Sequence, residues 1–180
     1  MLEAWISQVP EGASVKGMFF SSLHTTLRRR GYEPSTNQKF VAFKEYPLVL
    51  YMEQMLDAAA RAWPGLPPAE GLRSLGQSAY PTLAESVIGR VIFSVAAKNW
   101  RAALPLTGKA YGVSLNPGSA RVVGLTDHSA TLELRDVWNF ADTYQVGVME
   151  GAMTAFGVEG TVRPMPRGRK CDVDLRLDWE

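Results

Sequence analysis

The side chains able to do chemistry are few and far apart. The chain has two histidines, His24 and His128, and a single cysteine, Cys171. A zinc or iron centre needs three or four nitrogen, sulfur or carboxylate donors at fixed spacing, as in HxxxH, HExxH or paired CxxC. Neither histidine has such a partner at such a spacing, so no metal site is assigned. His24, in Ser21-Ser22-Leu23-His24-Thr25-Thr26, reads as a solvated helix position, and His128 reads as a turn residue.

Asp127-His128-Ser129 contains the three residue types of an acyl-transfer triad, but consecutive side chains do not converge on one reacting centre. Gly76-Gln77-Ser78-Ala79-Tyr80 comes close to a nucleophile elbow, yet it lacks the final glycine and follows a helix rather than a strand. Gly108-Lys109-Ala110 puts alanine where a phosphate loop needs Ser or Thr. No catalytic residue is assigned, and a non-catalytic protein is expected.

Binding chemistry is what remains. Gly147, Gly151 and Ala155 recur every four residues in a helix expected over 140–156, so they share a face that lets another backbone approach. Met149, Met153 and Phe156 make a second apolar face, with Asp142, Gln145 and Glu150 supplying most of the polarity. A helix apolar over more than half its circumference must be covered twice. One cover is its own sheet. The other is the N-terminal helices or a second subunit, which leaves core packing, a dimer seam and a Met-lined ligand cavity as the readings. Trp138, Phe140 and Tyr144 either line a pocket mouth at the strand-to-helix corner or anchor that corner. The basic run Arg28-Arg29-Arg30 reads as a helix C-terminus completing its dipole. Arg163, Arg167, Arg169 and Lys170 lie on a hairpin that either grips an anion or acidic partner or is a solvated turn.

The elements that must position these groups follow from periodicity. Val15, Met18, Phe19, Leu23 and Leu27 form a helical stripe ended by Gly31. Pro47 opens a second helix carrying Leu48, Tyr51, Met52, Met55, Leu56 and Ala59. A short helix over 70–77 is expected, then a separate stripe after Pro81 through Leu83, Val87, Ile88, Val91, Ile92 and Val95, then a helix over 100–111 broken near Pro105. From residue 113 the texture becomes β-branched. Strands are expected over 121–126 and 131–137, then the helix, then strands over 158–165 and 172–179. Val173, Leu175, Leu177 and Trp179 alternate with Asp172, Asp174, Arg176 and Asp178, which predicts one buried and one wet face. The fold class is therefore mixed α/β (α+β), a helical N-terminal half (about 1–112) packed on an antiparallel sheet of β-β-α-β-β order (about 113–180), within a single domain.

At 180 residues with 46% hydrophobic composition the chain can bury a core without disulfides or structural metal. Nineteen Lys and Arg against eighteen acidic residues leave a formal charge of +1, which offers no general attraction to nucleic acid or an anionic membrane. No apolar run reaches membrane-spanning length, no signal peptide is evident, and a cytoplasmic location is expected.

Val15-Lys16-Gly17-Met18-Phe19-Phe20, Leu75-Gly76, Asp136-Val137-Trp138-Asn139, Gly147-Val148-Met149-Glu150-Gly151-Ala152 and the closing Leu177-Asp178-Trp179-Glu180 together resemble a family of domains of unknown function found largely in myxobacteria. The helical half followed by β-β-α-β-β is also similar to the superfamily of haem–nitric-oxide-binding, vinyl-reductase-like and TRAPP-type domains. That resemblance implies a ligand pocket between helices and sheet, and frequent dimerisation. The haem branch uses an axial histidine and a Tyr-x-Ser-x-Arg clamp, which Arg135 in Leu134-Arg135-Asp136 does not recreate, and Cys171 stands alone where some relatives hold zinc. No cofactor is expected, haem included.

The combined expectation is a sensory or regulatory domain binding a small apolar ligand between the N-terminal helices and the sheet. Tyr51, Met55, Ile92, Trp138, Tyr144, Met149 and Met153 are its candidate lining residues. The alternative is an interaction scaffold whose Met149/Met153 face joins a homodimer or signalling partner.

Overall fold

The apolar stripes of the N-terminal half close on one another. The computed structural model describes residues 2–85, 89–90 and 99–180. Its first elements are α1 (Glu3–Ile6), β1 (Ser14–Lys16), α2 (Gly17–Arg29), β2 (Glu45–Pro47), α3 (Leu48–Ala62) and α4 (Pro68–Glu85). Phe20, Leu23 and Leu27 of α2 meet Leu48, Tyr51, Met52 and Met55 of α3 and Leu72 and Leu75 of α4 in one buried cluster. Burial of each large side chain contributes about 2 kcal/mol. Gly31, at φ 83°, ends α2 in the left-handed conformation expected of it. Pro47, at φ −53°, caps α3.

One expectation from the sequence changes here. The short helix over 70–77 and the stripe after Pro81 are not separate: α4 runs through Pro81. Proline removes one backbone N–H, so the Gln77 carbonyl loses its donor four residues on. A Cβ on Gly151 of a neighbouring helix would overlap that carbonyl oxygen, so glycine there leaves it room. The stripe residues Val87, Ile88, Val91, Ile92 and Val95 lie outside the described residues.

The chain continues as α5 (Trp100–Ala103), a 3-10 turn (Leu104–Leu106), α6 (Thr107–Ser114) and β3 (Leu115–Asn116). Asn99 caps α5, its side chain accepting from Ala102 N at 3.1 Å. β1, β2 and β3 form a small antiparallel sheet in the order β2-β1-β3. These strands are two or three residues long, too short to display an alternation in sequence.

The second sheet is the expected one. β4 (Ser119–Val123), β5 (Ser129–Arg135), β6 (Gly160–Pro166) and β7 (Val173–Trp179) are antiparallel in the order β4-β5-β7-β6, with α7 (Tyr144–Ala155) between β5 and β6. Leu132 pairs with Leu175 and Leu134 with Val173 on the inner face. Pro164 and Pro166 sit on the edge strand β6, where a missing N–H costs least. α7 lays Val146, Met149, Ala152 and Met153 on this sheet in a second buried cluster. Among the described residues no helix is long and apolar enough to cross a membrane.

The outer face of β7 departs from the expected wet surface. Asp174 is only 2% exposed. Arg135 Nη1 lies 2.8 Å from its Oδ1, and Arg167 Nε donates to its Oδ2 at 2.7 Å. The two guanidiniums cover the carboxylate while their side chains stay partly exposed to water. Arg163 and Arg169 of the same hairpin are paired with Asp178 and Asp172. The basic hairpin is therefore largely neutralised by its own sheet.

Candidate functional site

The Gly147 face of α7 is covered by α4. A Cβ on Gly147 would overlap the Arg73 carbonyl oxygen and lie 3.0 Å from Gln77 N, so the two helix backbones touch. Glu150 extends the seam by accepting from Arg73 Nε at 2.9 Å and Gln77 Nε2 at 3.0 Å. Of the three readings for this helix, core packing accounts for both faces, since Met149 and Met153 are each 3% exposed against the sheet. That Met face is not free to join a partner.

Where α7 leaves α4, a cavity of about 70 Å³ opens between the two clusters. Val15, Phe19 and Tyr51 line it from the N-terminal side, Tyr80 and Tyr111 from the side of the sheet, and Asn139, Tyr144, Gln145 and Val148 from the corner and α7. Four phenols thus converge from α3, α4, α6 and α7. The Tyr51 and Tyr144 hydroxyls are 3.5 Å apart, and the Tyr111 hydroxyl donates to Gln145 Oε1. Burial pushes all four phenols up, Tyr80 to about 12 and the other three in the same direction. They remain neutral donors through the physiological range.

Asn139 owes its position to a tight corner. Val137-Trp138-Asn139-Phe140-Ala141 links β5 to α7, which begins at Tyr144 rather than Phe140. Asp136 and Phe140 both take positive φ, 54° and 56°, uncommon for residues with a side chain. Fully buried Phe140, set edge-on to Trp5 at 5.6 Å, holds the corner in place. Asn139 is 4% exposed, and its Oδ1 accepts no hydrogen bond from the described residues.

Of the residues singled out from sequence, Tyr51 and Tyr144 line this cavity. Met149 lines a smaller neighbouring one with Trp100 and Phe156. Met55 is buried within the N-terminal cluster, Met153 against the sheet, and Trp138 packs at the rim of the N-terminal cluster. Ile92 lies outside the described residues. Sequence reasoning missed Asn139, Tyr80, Tyr111 and Gln145 as lining residues. A lone polar residue inside a five-residue apolar corner was the available signal for Asn139.

The histidines and the cysteine lie elsewhere. His24 is buried, not solvated: its Nε2 meets Gln54 Oε1 at 2.9 Å, and its ring stands edge-on to Phe40. His128 is exposed in the β4–β5 turn. Asp127 pairs with Arg101, and Ser129 Oγ meets Thr126 Oγ1, so the three residues 127–129 do not converge. Asp136, Cys171 and Asp172 cluster, but Arg169 already supplies the counter-charge to both carboxylates.

Removing one member of the cavity wall gives a direct energetic test. Tyr111→Phe leaves the buried Gln145 acceptor without its donor and should cost about 1–2 kcal/mol. The thermal unfolding midpoint should fall by about 2–6 °C. Tyr51→Phe removes only the longer contact to Tyr144 and should shift the midpoint by less.

A family described as "Protein of unknown function (DUF2378)" matches residues 8–180. The chain belongs to the DUF2378 family. No curated protein is significantly similar to this DUF2378 chain in sequence. Solved structures are similar in fold. A doubly substituted form of Tt H-NOX is 17% identical with a TM-score of 0.68, over 92% of this chain and 95% of that one. "Crystal structure of an H-NOX protein from S. oneidensis in the Fe(II)NO ligation state" is 16% identical with a TM-score of 0.61, over 92% and 99%. "Modulating Heme Redox Potential Through Protein-Induced Porphyrin Distortion" is 15% identical with a TM-score of 0.62, over 90% and 96%.

These structures correct the expectation that this chain takes no cofactor, haem included: the DUF2378 chain shares its fold with a structure described by its heme redox potential. Whether this chain fits haem depends on its own residues. Neither histidine reaches the cavity, and the cavity's 70 Å³ is a fraction of what a porphyrin fills. Arg135 lies on the outer face of β5, engaged by Asp174, with Leu132 and Leu134 between it and the helices. The arrangement does not fit haem ligated through histidine.

Proposed function

We propose that this DUF2378 chain is a non-catalytic sensory or regulatory domain whose ligand site is the tyrosine-lined cavity between the N-terminal helices and the C-terminal sheet. One observation carries the reading. In a fold shared with H-NOX structures, four phenols, Asn139 and Gln145 converge on a space between two separately packed clusters. A ligand there touches α2, α3, α6 and α7 at once. It would favour whichever relative packing of the clusters it contacts better, and that differential affinity is the signal. The expected apolar ligand is refined by the wall, which is apolar over most of its area but carries neutral hydrogen-bonding groups.

The test is the mass of the full chain purified without denaturant, measured under native conditions, beside its absorption spectrum. A bound small molecule that is released on unfolding, and is absent from an Ala79→Phe variant with an unchanged circular dichroism spectrum, supports the site. A Soret band would mean that haem occupies the fold beyond this 70 Å³ space, and would overturn the site. A bare mass, together with no change in unfolding midpoint between the wild type and Ala79→Phe across a metabolite panel, overturns the reading.

A further inference from the structure

One surface feature is used by neither cluster nor the cavity. Among the described residues the two most exposed large hydrophobic side chains are Val41, at 62%, and Phe43, at 64%. They stand on one turn, Val41-Ala42-Phe43-Lys44, closed by Lys44 N donating to the Val41 carbonyl at 3.1 Å. Residues 41–45 are all exposed. The fold uses the backbone of this turn. α2 has no side-chain cap, and its first two amides donate to the turn instead. Gly17 N reaches the Lys44 carbonyl at 2.9 Å and Met18 N the Ala42 carbonyl at 3.0 Å. The Tyr46 hydroxyl accepts from Val41 N at 2.9 Å. A Cβ on Gly17 would overlap the Val41 carbonyl oxygen, so turn and helix end are in contact. Phe40 and Tyr46, on either side, pack on the N-terminal cluster. None of these attachments uses the side chain of Val41 or Phe43, which stand in water.

Charge and size together say what covers them. Lys44 ends the turn and Lys39 precedes it by two residues, and neither is in an ion pair among the described residues. The adjacent Glu45 is taken by Lys16 Nζ at 2.7 Å. A stable protein interface needs about 20–30 residues a side, far more than one turn presents. A lipid surface needs only a few inserted apolar side chains with cations at the level of the headgroups. The carbonyls and amides named above would enter it already hydrogen-bonded, which spares the cost of burying them bare. We infer that this turn is the contact of the chain with an anionic lipid surface: Val41 and Phe43 enter the headgroup–acyl boundary, and Lys39 and Lys44 meet the headgroups. A net charge of +1 gives the chain no general attraction, so the contact is local to this turn.

The full chain is sedimented with vesicles of phosphatidylcholine alone and of equal parts phosphatidylcholine and phosphatidylserine. Each lysine at an anionic surface contributes about fivefold in affinity, so the second vesicle should bind about twentyfold tighter. Lys39→Gln/Lys44→Gln should make the two affinities equal. Val41→Ser/Phe43→Ser should weaken binding to the anionic vesicle by at least about tenfold, with an unchanged circular dichroism spectrum. Should either variant fail to fold, a polarity-sensitive fluorophore on Ala42→Cys decides, since the one natural cysteine, Cys171, is buried. Its emission should shift to the blue on the anionic vesicle, and the same label on His128→Cys in the β4–β5 turn should not shift. Equal binding of the wild type to both vesicles, binding that survives Val41→Ser/Phe43→Ser, or no shift at position 42 overturns the inference. Binding to neither vesicle also overturns it, and leaves the exposed pair to a protein partner.

Discussion

Gly147→Ala is expected to lower the stability of the fold by about 3 kcal/mol, a large effect for one added methyl group. The new Cβ would overlap the Arg73 carbonyl oxygen and lie 2.8 Å from its carbon. Neither atom can turn aside, because both belong to the backbone of α4. Gly76 and Gly151 make the same seam from its two sides: a Cβ on Gly76 would lie 2.9 Å from Val148 N, and one on Gly151 3.0 Å from Gln77 Cα. Relief requires α4 and α7 to separate, which strips packing from the sheet cluster and from the N-terminal cluster together. Gly112→Ala is the matched control, since nothing lies within 4 Å of its Cβ in α6. There the substitution should stabilise by up to about 1 kcal/mol through helix propensity. Urea unfolding followed by circular dichroism measures both, and similar midpoints for the two variants would contradict the close approach.

The same seam sets the width of the cavity. Tyr80 comes from α4 and Tyr144 from α7, so the distance at which the two helices touch fixes how far apart their phenols stand. A milder variant that moves the helices apart should therefore alter ligand selectivity before it abolishes folding.

Sequence periodicity was sufficient for the elements that bury one face over several turns or residues. The stripe of α3 and the inner face of β7 each repeat a simple rule, and the structure follows them. The α2 stripe holds only at Leu23 and Leu27: Val15 lies in β1, and Phe20 rather than Met18 or Phe19 is fully buried. Glycine spacing likewise marked the face of α7 that needs a close neighbour, though it left open which neighbour. α4 settles that by supplying Gly76 and the carbonyls of Arg73 and Gln77. The misses share a cause. β1 to β3 are too short to carry a period. Continuation of α4 through Pro81 runs against the local rule that proline ends a helix, in a helix packed along α7, far away in sequence. Tyr51 and Tyr144 were visible because they interrupt apolar stripes with a polar tip. Asn139 stood out only as a lone polar residue in an apolar corner; the corner itself is held by two positive φ angles that no local pattern encodes. The absence of a cofactor was inferred from missing motifs. Motifs speak to a known ligation scheme and say nothing of a fold's wider use.

The double variant Arg135→Leu/Arg167→Leu is expected to reverse the way one carboxylate links stability to pH. In the wild type, burial alone would push the Asp174 carboxyl up, but hydrogen bonds and charge from Arg167 and Arg135 hold it below the usual range. A folded-state value below the unfolded one means stability that is fully present above about pH 4 and is lost as pH falls through the folded value. Without the two guanidiniums only the burial remains, and the carboxyl is pushed up instead. Its contribution is then present in acid and lost as pH rises through the raised value. The difference in unfolding free energy between wild type and variant should therefore grow from little at about pH 3 to about 3 kcal/mol at about pH 7, the order of cost for a buried charge stripped of its partners. Asp174→Asn alone should cost less, because the guanidiniums left behind have side chains 37% and 58% exposed and can turn into water. Adding Asp174→Asn to the double variant should flatten the pH-dependent difference, which assigns it to this one carboxylate among the several on the sheet. A loss of equal size in acid and at neutral pH would show that the arginines act only through the packing of their side chains.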